Sequence, residues 1–189
     1  MTAEDRIDPA GRAALLALAR ASMRAAARRR PPDSVPPPAD RSPVLDEKRG
    51  AFVTLHLAGR LRGCVGTLKP ESPLWEAVRD AAWSSACEDN RFPPVGESEC
   101  GEIDIEISVL SPMKEIPSWN EFLPGDHGIL LAKDSRQAVF LPKVATDMKW
   151  GREETLSALC KKAGLPVNAW RLPGARFWIF TAEVFTDKK

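Results

Sequence analysis

The sequence predicts an α+β fold with a mainly antiparallel sheet flanked by helices. Segments with strand-like alternation are grouped together, and helical segments lie between the groups without the strict strand–helix–strand repetition of a parallel sheet. Two hairpin patterns, at residues 50–68 and 128–141, join strands through short turns, as antiparallel pairing allows. The chain has 189 residues, which is enough for one domain with a substantial core.

Residues 1–38 are predicted to form a helix followed by a proline-rich connector. Asp8 and Pro9 supply an N-cap and a first helical position, and the alanine-rich helix is expected to reach about Arg30. Its apolar stripe is Leu15, Leu18, Ala19, Ser22, Met23 and Ala26. This stripe predicts that the helix packs on residues 39–189, so that the two parts form one domain.

The opposite side of this helix carries Arg20, Arg24 and Arg28. Such a row could bind phosphate groups, or it could be a solvated helix face. The net charge of +1 gives no general attraction to nucleic acid, and aromatic side chains do not alternate with the basic ones. Nucleic-acid binding is therefore the lowest of the functional alternatives.

The first hairpin has one apolar and one polar face. Gly59 suits the left-handed position of a three-residue loop, Leu57-Ala58-Gly59. That loop would place Thr54 opposite Arg62, and Phe52 opposite Cys64. A two-residue loop would pair mismatched faces, so the pattern disfavours it.

Cys64 is the candidate nucleophile of this hairpin. Gly63 and Gly66 lie on either side of it, and glycine within a strand is typical of a kink or a close approach. Arg62 lies two residues away and could lower the thiol pKa. The alternative is a bulge around a buried cysteine, since cysteine is among the most often buried residues.

A general base for Cys64 is not evident in the sequence. In the predicted register His56 faces Arg60, about 13 Å from Cys64 at roughly 3.3 Å per residue. Proton transfer does not reach that far. Glu106 could raise the thiol pKa if its strand is a neighbour, which opposes the effect of Arg62.

The remaining elements follow in order. Ser72 is predicted to cap a helix that reaches about Asp89, and residues 102–110 alternate as a strand whose polar face carries Glu102, Asp104 and Glu106. These carboxylates could hold a metal or serve as acid and base, although a solvated face is the commoner outcome, and we expect no metal site. A later helix is predicted to begin near Gly151 and end at Gly164, and a closing strand covers Arg176–Val184.

Residues 61–66, LRGCVG, resemble the LRGCIG signature of the AMMECR domain family, with Val65 in place of isoleucine. The resemblance covers about Arg49 to Phe185. Further matching blocks keep the family order: Asp89–Pro94, Ile105–Leu110, Phe140–Val144, Trp150 and Leu159–Leu165.

This resemblance implies two unequal lobes with a cleft between them, the larger lobe being built from both ends of the chain. It places the LRGC hairpin beside that cleft. The expected catalytic candidates are Cys64 and Arg62. The expected ligand- or partner-binding residues are Gly63, Gly66, Arg91, Phe92 and Glu106.

The resemblance also implies partners. Relatives are associated with a Memo-like protein and a radical S-adenosylmethionine enzyme, which indicates a three-part modification system with this chain as the small component. The chain has no three-cysteine cluster for an iron–sulfur centre, so any radical chemistry belongs to a partner, and we expect no cofactor here. An unidentified small molecule or peptide is the expected ligand.

Enzymatic activity is left open by the sequence. It contains no GxSxG, phosphate-loop, dinucleotide or HExxH motif. One interpretation is an enzyme or substrate-handling subunit that uses Cys64, and the alternative is a non-catalytic interaction adaptor. With four cysteines in no CxxC pair, no signal peptide and no long apolar run, we expect a cytoplasmic protein with free thiols that does not enter a membrane.

Overall fold

The computed structural model describes residues 6–39, 42–68 and 71–188, and it has the α+β architecture that the sequence predicts. Its α-helices are α1 (Pro9–Ala27), α2 (Leu74–Cys87), α3 (Pro142–Met148) and α4 (Arg152–Lys162). Its strands are β1 (Ala51–Leu57), β2 (Arg60–Thr67), β3 (Ile103–Leu110), β4 (Lys114–Ile116), β5 (Gly128–Lys133), β6 (Arg136–Phe140), β7 (Arg176–Phe180) and β8 (Ala182–Thr186).

The strands form two four-stranded sheets within two compact units. The first sheet has the order β2-β1-β3-β8 and the second has the order β4-β7-β5-β6. The pairs β1–β2, β1–β3, β4–β7, β5–β6 and β5–β7 are all antiparallel. The larger unit combines both ends of the chain, up to Leu110 and from Glu183 onward, and the smaller unit is Ser111–Ala182.

The core of the larger unit lies between the first sheet and two helices. Helix α1 packs against α2 and β3, and α2 packs against β1 and β2. Alternate residues of the strands are buried on this side of the sheet: Ala51, Val53, Leu55, Ile103, Ile105, Ile107 and Val109. The other side of the same strands is therefore the polar one.

Helix α1 begins as the sequence predicts. The Asp8 carboxylate accepts a hydrogen bond from the Gly11 N–H at 2.7 Å, and a proline occupies the first turn. All six residues of the predicted apolar stripe are buried. The helix ends at Ala27 instead of Arg30, because Arg29 adopts a left-handed conformation with φ of 57°.

The arginines of α1 mostly serve internal contacts. Arg20 bonds to the Asp187 carboxylate and donates to two backbone carbonyls at the start of β3 and just before it. Arg28 pairs with Glu97 at 2.9 Å, while Arg24 is exposed. Two of the three arginines therefore have acidic partners within the larger unit, which disfavours the phosphate-binding interpretation.

The β1–β2 hairpin closes with a two-residue turn, so the predicted three-residue loop is wrong. Leu57 pairs with Arg60, and Ala58 and Gly59 between them have φ of 50° and 74°. Two successive positive φ angles characterise the type I′ turn, whose twist matches that of the strands it joins.

A β-bulge in β2 keeps the apolar residues of both strands on the same side of the sheet. The prediction from the sequence did not include a bulge. The observed pairs are Phe52 with Gly66, Thr54 with Cys64, Leu55 with Gly63, and His56 with Leu61. Arg62 is the extra residue of the bulge. The predicted pairs, Thr54 with Arg62 and Phe52 with Cys64, are therefore wrong, and Cys64 lies beside Thr54.

Helix boundaries agree with the predictions in part. Pro73 is the N-cap of α2 and provides no side-chain hydrogen bond, so the predicted cap at Ser72 is wrong. Gly164 follows α4 with φ of 70°, as predicted for a left-handed cap. Helix α3, which begins at Pro142, was not predicted. None of the helices in the described ranges is long and apolar enough to cross a lipid bilayer.

The segment predicted as one closing strand is two strands in different sheets. Strand β7 lies between β4 and β5, and β8 lies beside β3. Phe177 belongs to the core of the smaller unit and Phe185 to the core of the larger one. No glycine or proline lies between Arg176 and Thr186, so the sequence carries no sign that one strand ends and another begins there.

Candidate functional site

Cys64 lies on the polar side of the first sheet, facing away from α2. We call this side the Cys64 face, and it carries Phe52, Thr54, His56, Cys64 and Glu106. The Thr54 hydroxyl donates a hydrogen bond to the Cys64 Sγ at 3.2 Å. The thiol is half-buried and its acceptor lone pair is used, so its position is fixed by a neighbour and not only by packing.

The backbone of Cys64 is held at the edge of the sheet by an ion pair. The Cys64 N–H donates to Asp89 Oδ2 at 2.8 Å, and the Cys64 carbonyl accepts from Arg91 Nη2 at 3.2 Å. Arg91 also bonds both oxygens of Asp89, at 2.8 and 2.6 Å. We call Asp89 and Arg91 the edge clamp, because together they satisfy both outward backbone groups of Cys64.

Electrostatics within the edge clamp favours both charged forms. The guanidinium of Arg91 holds the pKa of Asp89 well below its usual range, and the N–H groups of Cys64 and Arg91 act in the same direction against the effect of burial. Asp89 in turn raises the pKa of Arg91, and proximity to Cys64 adds to that rise. The guanidinium that contacts Cys64 is therefore that of Arg91, at the Cys64 carbonyl, whereas the sequence suggested Arg62 as the neighbouring charge.

Arg62 is engaged elsewhere. Its guanidinium binds Glu99 in a two-pronged ion pair at 2.9 and 3.0 Å, and it donates to the Pro93 and Pro94 carbonyls at 2.7 and 3.3 Å. Arg62 lowers the pKa of Glu99, and the Gly96 N–H adds to this effect. The contacts of Arg62 thus hold the segment after α2 against the bulge of β2.

The two glycines of the motif lie where the backbone is crowded. A Cβ on Gly63 would lie 2.1 Å from the Ser85 carbonyl oxygen, and a Cβ on Gly66 would lie 2.3 Å from the Ala51 carbonyl oxygen. Neither gap admits a side chain without movement of backbone. Close packing therefore accounts for both glycines, and a role for them in ligand binding stays a prediction.

Ser85 joins α2 to the hairpin from the buried side. Its hydroxyl accepts a hydrogen bond from the Val65 N–H at 2.9 Å and donates to the Val53 carbonyl at 2.8 Å. Val53 and Val65 are partners in the ladder, so one hydroxyl contacts both strands at the same rung. Together with the close approach at Gly63, this bond fixes the helix against the strand that carries Cys64.

The observed register moves His56 closer to Cys64 than predicted. His56 lies two residues from Thr54 on the same side of β1, which is a diagonal position to Cys64 about 7–8 Å away. The predicted separation of 13 Å is therefore wrong. Within the described part of the chain, no hydrogen bond joins the imidazole to the thiol.

Glu106 lies in the same row as the thiol, one strand further on. Thr54 is opposite Cys64 on one side and opposite Glu106 on the other. With neighbouring strands about 4.8 Å apart, the backbones of Cys64 and Glu106 are about 10 Å apart. Among the residues that the structure describes, no three acidic, histidine or cysteine side chains converge as a metal site.

Arg91 and Phe92 project from the segment that follows α2. The side chain of Arg91 is 54% exposed, and its guanidinium carbon lies 5.5 Å from the centre of the Phe92 ring. Asp89 anchors this segment, since its carboxylate also accepts from the Arg91 N–H. The pair predicted as partner anchors is therefore displayed from a backbone that is held in place.

Sequence reasoning did not assign a role to Asp89, Thr54, Ser85 or Glu99. Asp89 and Glu99 lie 25 and 37 residues after the β2 residues that they bind, so only the fold brings them together. One available signal was the block Asp89–Pro94, which forms part of the family resemblance. A buried serine within the apolar stripe of α2 was another, since such a hydroxyl requires a partner.

Comparisons with known proteins agree with this architecture. The crystal structure of the uncharacterized protein PH0010 from Pyrococcus horikoshii superposes with a TM-score of 0.87 and 34% sequence identity, covering 97% of this chain and 94% of that one. Protein Mbar_A1807 of Methanosarcina barkeri is 41% identical over 153 residues, which are 78% of this chain and 75% of the relative. Protein MK0488 of Methanopyrus kandleri is 42% identical over 162 residues, 81% and 77% of the two chains. The family model described as AMMECR1 matches residues 16–185, and the chain therefore belongs to the AMMECR1 family.

Proposed function

We propose that this chain handles a ligand or substrate at the Cys64 face, as the small component of a three-part modification system. Its partners in that system are a Memo-like protein and a radical S-adenosylmethionine enzyme. The observation that carries the proposal is the arrangement of Cys64, whose Sγ accepts from Thr54 and whose backbone is bound on its outer edge by Asp89 and Arg91.

The chemistry of this arrangement suits contact with a polar ligand. The Thr54 hydroxyl donates to the sulfur and the Arg91 guanidinium donates to the carbonyl of the same residue, so polar donors surround a half-buried thiol. His56 and Glu106 add an imidazole and a carboxylate to the same face. A ligand between the thiol and the imidazole would span the diagonal of about 7–8 Å.

A role beside other proteins follows from the contacts of the thiol. In the described ranges the hydrogen-bond partners of Cys64 are Thr54, Asp89 and Arg91, and none of them is a base bonded to the sulfur. Many cysteine enzymes that act alone activate their nucleophile through such a base. We therefore assign the remaining reactive groups to a partner protein.

Binding measurements test this proposal. Titration calorimetry of the chain with each partner from the same source should show that a complex forms. The substitution Cys64→Ser should weaken or abolish that complex. Cys87→Ser is the matched control, because Cys87 is also half-buried and lies outside the Cys64 face. Absence of binding to both partners, with turnover of a small molecule by the isolated chain, would replace the proposal with a stand-alone enzyme.

A non-catalytic adaptor is the second candidate, and the Arg91–Phe92 pair favours it. An arginine and an aromatic ring on an anchored segment are the side chains that most often dominate protein interfaces. Phe92→Ala is the variant of choice, since Arg91→Ala would also release Asp89. Partner binding that is lost with Phe92→Ala and kept with Cys64→Ser would assign the adaptor role.

A further inference from the structure

Strand β2 is an edge strand, so the backbone groups on its outer side have no neighbouring strand in the described part of the chain. Side chains of the described residues bond these groups at Cys64 but not at Gly66. In the order β2-β1-β3-β8 the described strands place one neighbour, β1, beside it. The edge clamp uses the outward N–H and carbonyl of Cys64. In an antiparallel ladder, residues two apart direct their backbone groups to the same side, so Gly66 also points its N–H and carbonyl outward. No described residue bonds these two groups.

A groove runs beside this open position, between β2 and α2. It has a volume of about 270 Å³. On the strand it is lined by Val65, Gly66 and Thr67. On the helix side its lining is Ala77, Asp80, Ala81 and Ser84, with Glu71 and Ser72 from the preceding turn. The small alanine side chains at positions 77 and 81 are one helical turn apart and leave room next to the strand edge.

The described residues that line this groove carry negative charge. Its described lining includes two carboxylates, Glu71 and Asp80, and no basic side chain. Glu71 is exposed, and Asp80 forms an ion pair with Arg79 at 2.8 Å through one of its two oxygens, which leaves the other oxygen for a ligand. A backbone edge beside an acidic groove is complementary to an extended chain that carries positive charge.

We propose that the groove between β2 and α2 binds an extended segment of a partner protein that carries lysine or arginine. One residue of the segment exchanges two backbone hydrogen bonds with Gly66, as in the addition of a strand to a sheet edge. Residues on either side of it direct their side chains toward α2, because successive side chains of a strand alternate. Those are the positions for the basic side chains, next to Asp80 and Glu71.

The edge clamp fixes where this segment can pair. The outward groups of Cys64 are already bonded, so the added strand cannot exchange bonds there and pairs at Gly66. The site lies on the edge of the sheet and not on the Cys64 face. It is therefore separate from the ligand-handling function proposed above, and either can fail without the other.

Peptide titrations followed by amide NMR of the full chain test this site. The probe is acetyl-Thr-Lys-Val-Lys-Thr-amide, compared with the same peptide carrying glutamate in place of both lysines. We expect the lysine peptide to shift the Gly66 amide and its neighbours in the groove saturably. We expect the glutamate peptide to bind about fivefold more weakly or worse, since two surface charge pairs change from attraction to repulsion.

Two charge-reversal variants separate the groove from general charge effects. Asp80→Lys and Glu71→Lys should each weaken the lysine peptide about threefold, on the same estimate for one surface charge pair. Asp33→Lys is the matched control, as Asp33 is exposed and lies outside the groove, and it should leave the affinity unchanged. Using two variants keeps the test valid if one of them fails to fold.

Several outcomes would overturn the proposal. A well-dispersed spectrum in which millimolar lysine peptide leaves Gly66 unshifted removes the site. If the lysine and glutamate peptides bind with equal affinity, the groove does not select positive charge. The same conclusion follows if Asp33→Lys weakens the lysine peptide as much as Asp80→Lys and Glu71→Lys do. Shifts of Gly66 that follow protein concentration without peptide would assign the edge to a second copy of this chain instead of a basic partner segment.

Discussion

The four cysteines differ in their environments, and the differences follow from single contacts. Burial raises the pKa of Cys100 and Cys160, and burial together with the charge of Glu88 raises the pKa of Cys87. Cys64 instead receives a hydrogen bond from a hydroxyl and lies near a guanidinium. It is the thiol whose surroundings favour reaction.

Alkylation should therefore label Cys64 first. At neutral pH we expect Cys64 to react about tenfold faster than Cys87 and faster still than the two buried thiols, because burial raises the pKa of the other three and thiolate is the reacting form. Timed labelling with mass-spectrometric mapping gives the four rates, and the unfolded protein serves as the control in which they converge. If another cysteine labels faster in the folded protein, Cys64 is a packing residue.

Asp89 is the residue on which the geometry of Cys64 depends. Its side chain is 5% exposed, and it bonds the Cys64 N–H, the Arg91 N–H and the Arg91 guanidinium. Its pKa is lower in the folded protein than in the unfolded chain. The ionised form therefore stabilises the fold fully above the ordinary Asp pKa of about 4, and this contribution declines as pH falls toward the lowered value.

Asp89→Asn should destabilise the protein in a pH-dependent way. We expect a loss of about 1–3 kcal/mol in the free energy of unfolding at pH 7, since a charged acceptor of several buried bonds is removed. The difference from the natural chain should shrink at pH 3. Urea denaturation at both values measures it, with Asp33→Asn as the exposed control. A difference that is unchanged or larger at pH 3 would refute the role of the ionised carboxylate.

The β1–β2 hairpin and α2 are closely packed against each other. The sequence predicts both the hairpin at residues 50–68 and a helix between Ser72 and about Asp89. It does not predict the register, because a two-residue turn plus a bulge and a three-residue loop both keep the apolar residues on one face. The bulge at Arg62 is stabilised by Glu99 and by two proline carbonyls, which are distant in sequence.

Alanine at Gly63 or Gly66 should disrupt the packing of the hairpin and lower the stability of the protein. The added Cβ would meet backbone oxygen at 2.1 and 2.3 Å, so we expect each variant to lose more than about 2 kcal/mol of unfolding free energy. Gly101→Ala is the control, because nothing lies within 4 Å of a Cβ there. Thermal and urea unfolding compare the three. Stability of the Gly63 and Gly66 variants equal to that of Gly101→Ala would show that the space was available for a ligand.

In the molecule as a whole, the two ends of the chain meet in one unit. Arg20 of α1 bonds Asp187 near the carboxyl terminus, and Asp187 also bonds the Ile105 backbone in β3. The sequence predicts the helix and the last strand segment, but not this contact, because 167 residues separate the two charged groups. Pairing with distant strands also explains why the segment predicted as one strand forms both β7 and β8.

Arg20→Met should show how strongly this contact supports the larger unit. Arg20 and Asp187 are 24% and 21% exposed, and removal of Arg20 also leaves two backbone carbonyls without their donor. We expect a loss of about 2–3 kcal/mol. Arg28→Met, in the exposed pair with Glu97, should cost less than about 1 kcal/mol. Equal effects of the two substitutions on urea unfolding would contradict this assignment.

The rate of Cys64 alkylation in the presence of partners tests whether the Cys64 face is where this chain works. We predict that a saturating Memo-like protein or radical S-adenosylmethionine enzyme from the same source slows the alkylation of Cys64 about tenfold or more, while Cys87 keeps its rate. Binding would then cover the half-buried thiol directly. A complex that forms by calorimetry and leaves the Cys64 rate unchanged would contradict the account.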